Sequence, residues 1–136
     1  MYAGSWNRYS LRDAEHWAPL FPDSGAVYLG PDHSRYTIAM MHQLQCLDVI
    51  REQFTLHRGE RDLPRAHHCL NYLRQSVMCR GDLQIDGMQY ASRVHTVAKF
   101  PVRRCRDWRV VYDKVLENQR EHVVWTERVG GNRTGF

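Results

Sequence analysis

No stretch of this 136-residue chain approaches the roughly 18 consecutive apolar residues of a membrane-spanning helix, so the chain as read contains no membrane span. An apolar signal-peptide core is missing near Met1 as well. No Cys-x-x-Cys pair occurs, which argues against a zinc ribbon or a thioredoxin-type site. No Gly-x-Ser-x-Gly is present to build a hydrolase elbow. A glycine-rich phosphate loop is missing too, which argues against nucleotide chemistry. Charge of one sign is also scarce: the net charge is +4, and the basic residues are scattered except for small clusters at Arg103-Arg104-Arg106 and Arg58/Arg61. With no nucleic-acid-binding motif beside them, these read as a solvated basic surface, and no nucleic-acid partner is expected.

What is present suits one globular domain over residues 1–136, since 43% of the residues are hydrophobic and 25% charged. Residues 1–9 read as an irregular arm, and about 127–136, ending in Gly130-Gly131-Asn132-Arg133-Thr134-Gly135, as a mobile tail. Four cysteines, Cys46, Cys69, Cys79 and Cys105, allow two disulfides in three connectivities. Asn132-Arg133-Thr134 is a glycosylation sequon, weak evidence for a secretory compartment.

Periodicity gives a mainly α-helical fold with a minor β element. Ser10 to Asp13 resembles a capping box for a short helix from Leu11 to Trp17, stopped by Pro19 and Pro22. Ala26-Val27-Tyr28-Leu29 reads as a short strand closed by Gly30-Pro31. Ser34 is a good N-cap, and no Pro or Gly follows between Arg35 and His57; Met40, Leu44, Leu47 and Phe54 then make one stripe of a long amphipathic helix, 35–57. Asp62-Leu63-Pro64 opens a second helix, 64–79, with Ala66, Cys69, Leu70, Leu73 and Val77 as its core stripe and Gly81 as its stop. The short connection makes the two an antiparallel pair. Weak alternation over 82–104 suggests one or two strands. Asp107 caps a third, C-terminal helix from Trp108 to about Glu121.

Two phrases recur on the helix pair: His42-Gln43-Leu44-Gln45-Cys46-Leu47-Asp48 and Arg65-Ala66-His67-His68-Cys69-Leu70-Asn71, each with an Arg five residues beyond its Cys. Helical spacing sets a His-bearing turn beside a Cys on one face of each helix, so facing helices would enclose a polar pocket. His42 and Cys46, at i and i+4, with His67 or His68 and Cys69, are candidate ligands for copper or zinc. If the cysteines are oxidised, two imidazoles remain, too few for a closed metal site. Without metal, His42 and His68 can still move protons near neutral pH. Asp48, Asp82, Tyr36 and Tyr72 are the neighbours placed to orient or assist. The plain alternative for each His is a hydrogen-bonded residue of a helix seam.

These residues resemble the UstYa-like family of fungal natural-product biosynthesis proteins over about residues 17 to 125. The matching text is Tyr36 to Cys46, His67 to Gln75, Cys79-Arg80-Gly81-Asp82 and Cys105-Arg106-Asp107-Trp108, in that order. The family signature is two copies of His-x-x-His-Cys; Gln45 and Arg65 stand where two of its histidines belong. The resemblance implies tailoring of secondary metabolites, often by ring closure, with several members regarded as oxidases and some as copper-dependent, in secretory-pathway membranes. In that compartment disulfides Cys46–Cys69 and Cys79–Cys105 are expected.

The expectation is therefore a tailoring enzyme acting on a small, largely apolar natural product by metal-independent cyclisation or isomerisation, with no cofactor preferred. His42 and His68 donate or accept protons, while Arg65 and Gln45 stabilise developing negative charge. Tyr36, Tyr72, Asp82 and His67 line the substrate pocket. The alternative is a copper-dependent oxidase using His42, His67 or His68. A third reading is a non-catalytic ligand-binding partner, and a homo-oligomer is admissible.

Overall fold

A computed structural model describes residues 9–83 and 105–131. Its elements are α1 (Ala14–Trp17), β1 (Ala26–Leu29), β2 (Ser34–Thr37), α2 (Ala39–Thr55), α3 (Leu63–Arg80) and α4 (Trp108–Gly131). The expected mainly α fold with a minor β element is what forms.

The antiparallel pair α2/α3 carries the core. Cys46 and Val49 from α2 meet Cys69 from α3, with Ile50, Tyr72 and Leu73 packed around them. Asp62 caps α3 by accepting a hydrogen bond from the Arg65 amide at 3.0 Å, and Pro64 occupies the first turn, where no amide donor is required. Buried Arg51 ties the N-terminal segment to this core. Its Nε donates to Asp48 Oδ1 at 2.6 Å and its Nη1 to the Leu11 carbonyl at 2.6 Å, while the guanidinium carbon lies 5.9 Å from the Trp17 ring centre.

Three local expectations need correction. The first helix begins at Ala14, not Leu11, and Asp13 at its N-cap makes no side-chain capping bond. Ser34 caps nothing: Ser34–Thr37 is a strand, paired antiparallel with β1 in the register Ala26↔Thr37, Val27↔Tyr36, Tyr28↔Arg35, Leu29↔Ser34. α2 therefore starts at Ala39. The last helix continues ten residues past Glu121 to Gly131, into the stretch expected as tail. Asp107 does cap it, accepting from the Arg109 amide at 3.1 Å. The strands expected within 82–104 and the sequon at 132–134 fall outside the described residues, apart from Asp82 and Leu83.

α4 packs along β1 and takes the place of a further strand. The side chain of Asn118 accepts from the Tyr28 amide at 2.7 Å and donates to the Tyr28 carbonyl at 2.8 Å. Gln119 Nε2 donates to the carbonyls of Pro22 and Ala26, and the Tyr112 hydroxyl to that of Leu20. Satisfying both backbone groups of an edge residue with one amide fixes the hairpin on the helix. Asn118→Leu leaves both unpaired and is expected to cost about 2–3 kcal/mol. Urea denaturation would read that loss, together with faster hydrogen exchange at Tyr28; an equally protected Tyr28 amide would count against this role.

Candidate functional site

The site is built where the hairpin runs into α2. Asp23, Ser24 and Gly25 have φ of +46°, +54° and +71°, three successive left-handed residues. Asp23 and Ser24 carry this conformation at a cost, as residues around functional sites often do. The turn lies so close to α2 that a Cβ on Gly25 would stand 2.5 Å from that of Met41. The Gly25 carbonyl accepts from the Ile38 amide at 3.2 Å, and the Ile38 carbonyl in turn accepts from the His42 amide at 3.0 Å. The turn thereby sets the first turn of α2 and the position of His42.

A cleft of about 410 Å³ opens there, lined by Ser24, Arg35, Thr37, His42 and Gln45. His42 is half-buried, and its ring centre lies 6.2 Å from that of His68 and 4.1 Å from that of Tyr72. Burial, and then the charge of His68, hold its pKa below the usual imidazole value. His42 is thus kept neutral, the form that accepts a proton.

The structure brings His68, Tyr72 and Gln45 to His42 and leaves four candidates elsewhere. Tyr36, expected to line the substrate pocket, stands in a strand, and alternation turns it to the hairpin face opposite Arg35 and Thr37. Arg35 and Thr37 line the cleft in its stead. His67 lies about 100° around α3 from His68, exposed, accepting a hydrogen bond from Asn71 Nδ2 at 3.2 Å. Asp82 is exposed beyond the end of α3, whose last residue, Arg80, is already about 18 Å along the helix axis from His68. Arg65 is exposed on α3, and its charge acts on the thiol of Cys46.

Cys46 and Cys69 face each other in the core as the two phrases imply, but they are free thiols here, linked by a hydrogen bond rather than the expected disulfide. Cys79 is also a free thiol, exposed on the last turn of α3, so the expected bridge to Cys105 is not formed. Burial pushes the Cys46 pKa up to about 12, helped by the hydrogen bond with Cys69; Arg65 pulls weakly the other way. At neutral pH Cys46 is therefore a protonated thiol.

The donors at hand do not make a copper centre by themselves. His42 and His68 are two imidazoles, and Gln45 and Arg65 fill the remaining signature positions. Among the described residues no group of three or more His, Cys, Asp or Glu side chains is arranged to hold a metal ion. The set His42, His67 and His68 is not assembled.

Two further features escaped sequence reasoning. A larger cavity, about 720 Å³, lies between the hairpin and α4, lined chiefly by Val27, Leu29, Ile38, Val110, Val111 and Val115. It is on the opposite face of the hairpin from His42. A second imidazole pair, His33 and His122, meets with Nδ1 atoms 3.2 Å apart. Tyr28 stacks on His122 at 3.4 Å and Trp125 on His33 at 4.3 Å, between ring centres. These partners are 89 residues apart with no motif around either, so only the folded chain reveals them.

The two Cys-containing phrases thus lie on facing helices, with His42 at a polar cleft and His68 beside it. The chain matches the family described as "Mycotoxin biosynthesis protein UstYa" over residues 8–128 and belongs to the UstYa family. It is similar to "UstYa family oxidase phomYe" of Diaporthe leptostromiformis, 28% identical over 101 residues, 65% of this chain and 35% of that protein. It is similar to "Oxidase ustYa" of Aspergillus flavus, 36% identical over 69 residues, 48% of this chain and 32% of that protein. It is also similar to "Hydroxylase cctR" of Talaromyces islandicus, 26% identical over 124 residues, 86% of this chain and 44% of that protein. The chain thus spans less than half the length of these relatives. No solved structure matches it. Among the described residues no helix is long and apolar enough to cross a membrane.

Proposed function

We propose that this chain is the oxidative part of a natural-product tailoring enzyme, with His42 as proton acceptor at the cleft. The observation carrying this reading is a neutral, half-buried imidazole inside a polar cleft, in a chain whose relatives bear the names oxidase and hydroxylase. Those names favour oxidation over the metal-independent cyclisation or isomerisation expected from the missing signature histidines. An oxidase takes electrons and protons from its substrate and passes them to dioxygen. The described side chains account for the proton half: His42 accepts the proton, and Gln45 donates a hydrogen bond to oxygen as negative charge develops. His68 and Tyr72 hold the His42 ring in place.

The reaction class can be tested before the substrate is identified. The gene is deleted in the organism that encodes it, and the accumulating metabolite is compared by mass spectrometry with the product that disappears. Oxidation predicts a product lighter by two hydrogens or heavier by one oxygen, and accumulation of the same precursor when the strain is starved of air. A precursor and product of identical formula would replace this reading with cyclisation or isomerisation. An unchanged metabolite profile would point to a non-catalytic partner.

A further inference from the structure

Among the described residues, the side chains lining the His42 cleft are polar, and one, Arg35, carries a permanent positive charge. No described carboxylate lines it. Arg35 reaches the cleft because β2 is a strand: residues 35 and 37 share a face, and Arg35 is the cross-strand partner of Tyr28. Among the described residues the anion beside Arg35 is Asp23, whose Oδ1 lies 4.0 Å from Nη2, beyond hydrogen-bond length. The other oxygen of Asp23 accepts from the Tyr28 hydroxyl at 3.0 Å. The Tyr28 hydroxyl thus joins Asp23, to which it donates, and Arg35, from which it accepts; the guanidinium is more than half exposed and makes no close ion pair with a described carboxylate.

A guanidinium carries its N–H groups in a planar fork that matches the two oxygens of a carboxylate. Around it the cleft offers the hydroxyls of Ser24 and Thr37 and the amide of Gln45, so the site is rich in hydrogen-bond donors. We infer that the cleft takes a carboxylate, anchored by Arg35, and that the substrate of the proposed oxidation is an organic acid whose adjoining atoms are thereby seated beside His42. This inference rests on the oxidative reading for its reaction but not for its recognition. It also revises the expectation of a largely apolar substrate: the group presented to His42 is anionic, whatever the rest of the molecule.

Hexanoate and hexanamide are matched probes, alike in their apolar tail and differing in charge. The purified chain is titrated with each while the His42 ring signals and the Arg35 Nε–H are followed by NMR. The expected result is saturable movement of both signals with hexanoate and about tenfold weaker binding of hexanamide, as expected for losing a charge-assisted hydrogen bond. R35Q should weaken hexanoate by a similar factor while leaving hexanamide unchanged. R35K, which keeps the charge but loses the fork, should fall between. His42→Ala should retain hexanoate binding, which separates recognition from chemistry. Failure of hexanoate to bind, equal binding of acid and amide, or hexanoate affinity unchanged in R35Q and R35K would each overturn the inference. The metabolite accumulating in the deletion strain should also carry an acidic group. A neutral one of altered formula would overturn the inference while leaving the oxidative reading intact.

Discussion

Gly25→Ala is expected to lower the stability of this chain by about 3 kcal/mol, the largest loss from adding a single methyl group at any described glycine. Two costs combine. An L-residue forced to φ of +71° pays roughly 1–2 kcal/mol. The new Cβ would also stand 2.5 Å from the Cβ of Met41, a fully buried residue. A Cβ moves only with its backbone, so a rotamer change cannot relieve this contact; overpacking of this kind costs roughly 1–3 kcal/mol more. The turn and α2 would have to part, and the Gly25 carbonyl would leave the Ile38 amide that it holds at 3.2 Å. Since His42 follows in that first turn, the cleft should be disturbed even where the rest of the core survives. Gly30 is the internal control. Its φ is +77°, but nothing lies within 4 Å of its Cβ position, so Gly30→Ala should show the conformational cost alone. Urea denaturation of both variants reads the difference. Equal midpoints for the two would show that the Met41 contact has no energetic weight.

The same turn marks the boundary of what the sequence discloses. The α2/α3 pair could be read from helical periodicity, but its core only in part: Ala66, Cys69 and Leu73 pack inward as expected, whereas Leu47, Phe54, Leu70 and Val77 of the expected stripes are exposed, and Cys46 and Val49 fill the core from α2. The meeting of His42 with His68 follows from that periodicity. β2 could not be read the same way. Ser34-Arg35-Tyr36-Thr37 precedes a strong helix with no Pro or Gly between them, and the local signals favour extending the helix back to Ser34. The strand exists because Ala26–Leu29 is available to pair with it, which is a non-local cause. That change of period shaped the site: alternation along the strand delivers both Arg35 and Thr37 to the cleft and turns Tyr36, expected to line it, to the other face. The left-handed conformations at Asp23 and Ser24 are likewise imposed by docking, since neither a β-strand nor a helix pattern calls for them. The long reach of α4 escaped notice because its outer turns are exposed and Gly130-Gly131 reads as a break. Asn118, Gln119 and His122, which clasp the hairpin, look from sequence like ordinary surface polar residues.

The second large effect belongs to His42. If it accepts the substrate proton, His42→Ala should slow product formation about 10²–10⁴-fold, the usual contribution of a positioned base, with the fold intact by circular dichroism. The pH dependence carries the more specific consequence. Burial and the neighbouring His68 charge both oppose protonation of His42, so its folded-state pKa lies below the ordinary value for histidine. Between those two values the unfolded chain binds a proton that the folded chain declines. Stability contributed by His42 is therefore complete above the ordinary value, is lost as pH falls through the folded one, and changes no further below it. Activity should follow the folded value, with an acid limb where the ring becomes charged. His68→Gln removes the repulsion and leaves the burial, so the acid limb and the NMR titration of the His42 ring should both move to higher pH without reaching the ordinary value. A His42 that titrates identically in the wild type and in His68→Gln would mean that the two rings are not electrostatically coupled, and that the cleft does not work as a paired-imidazole site.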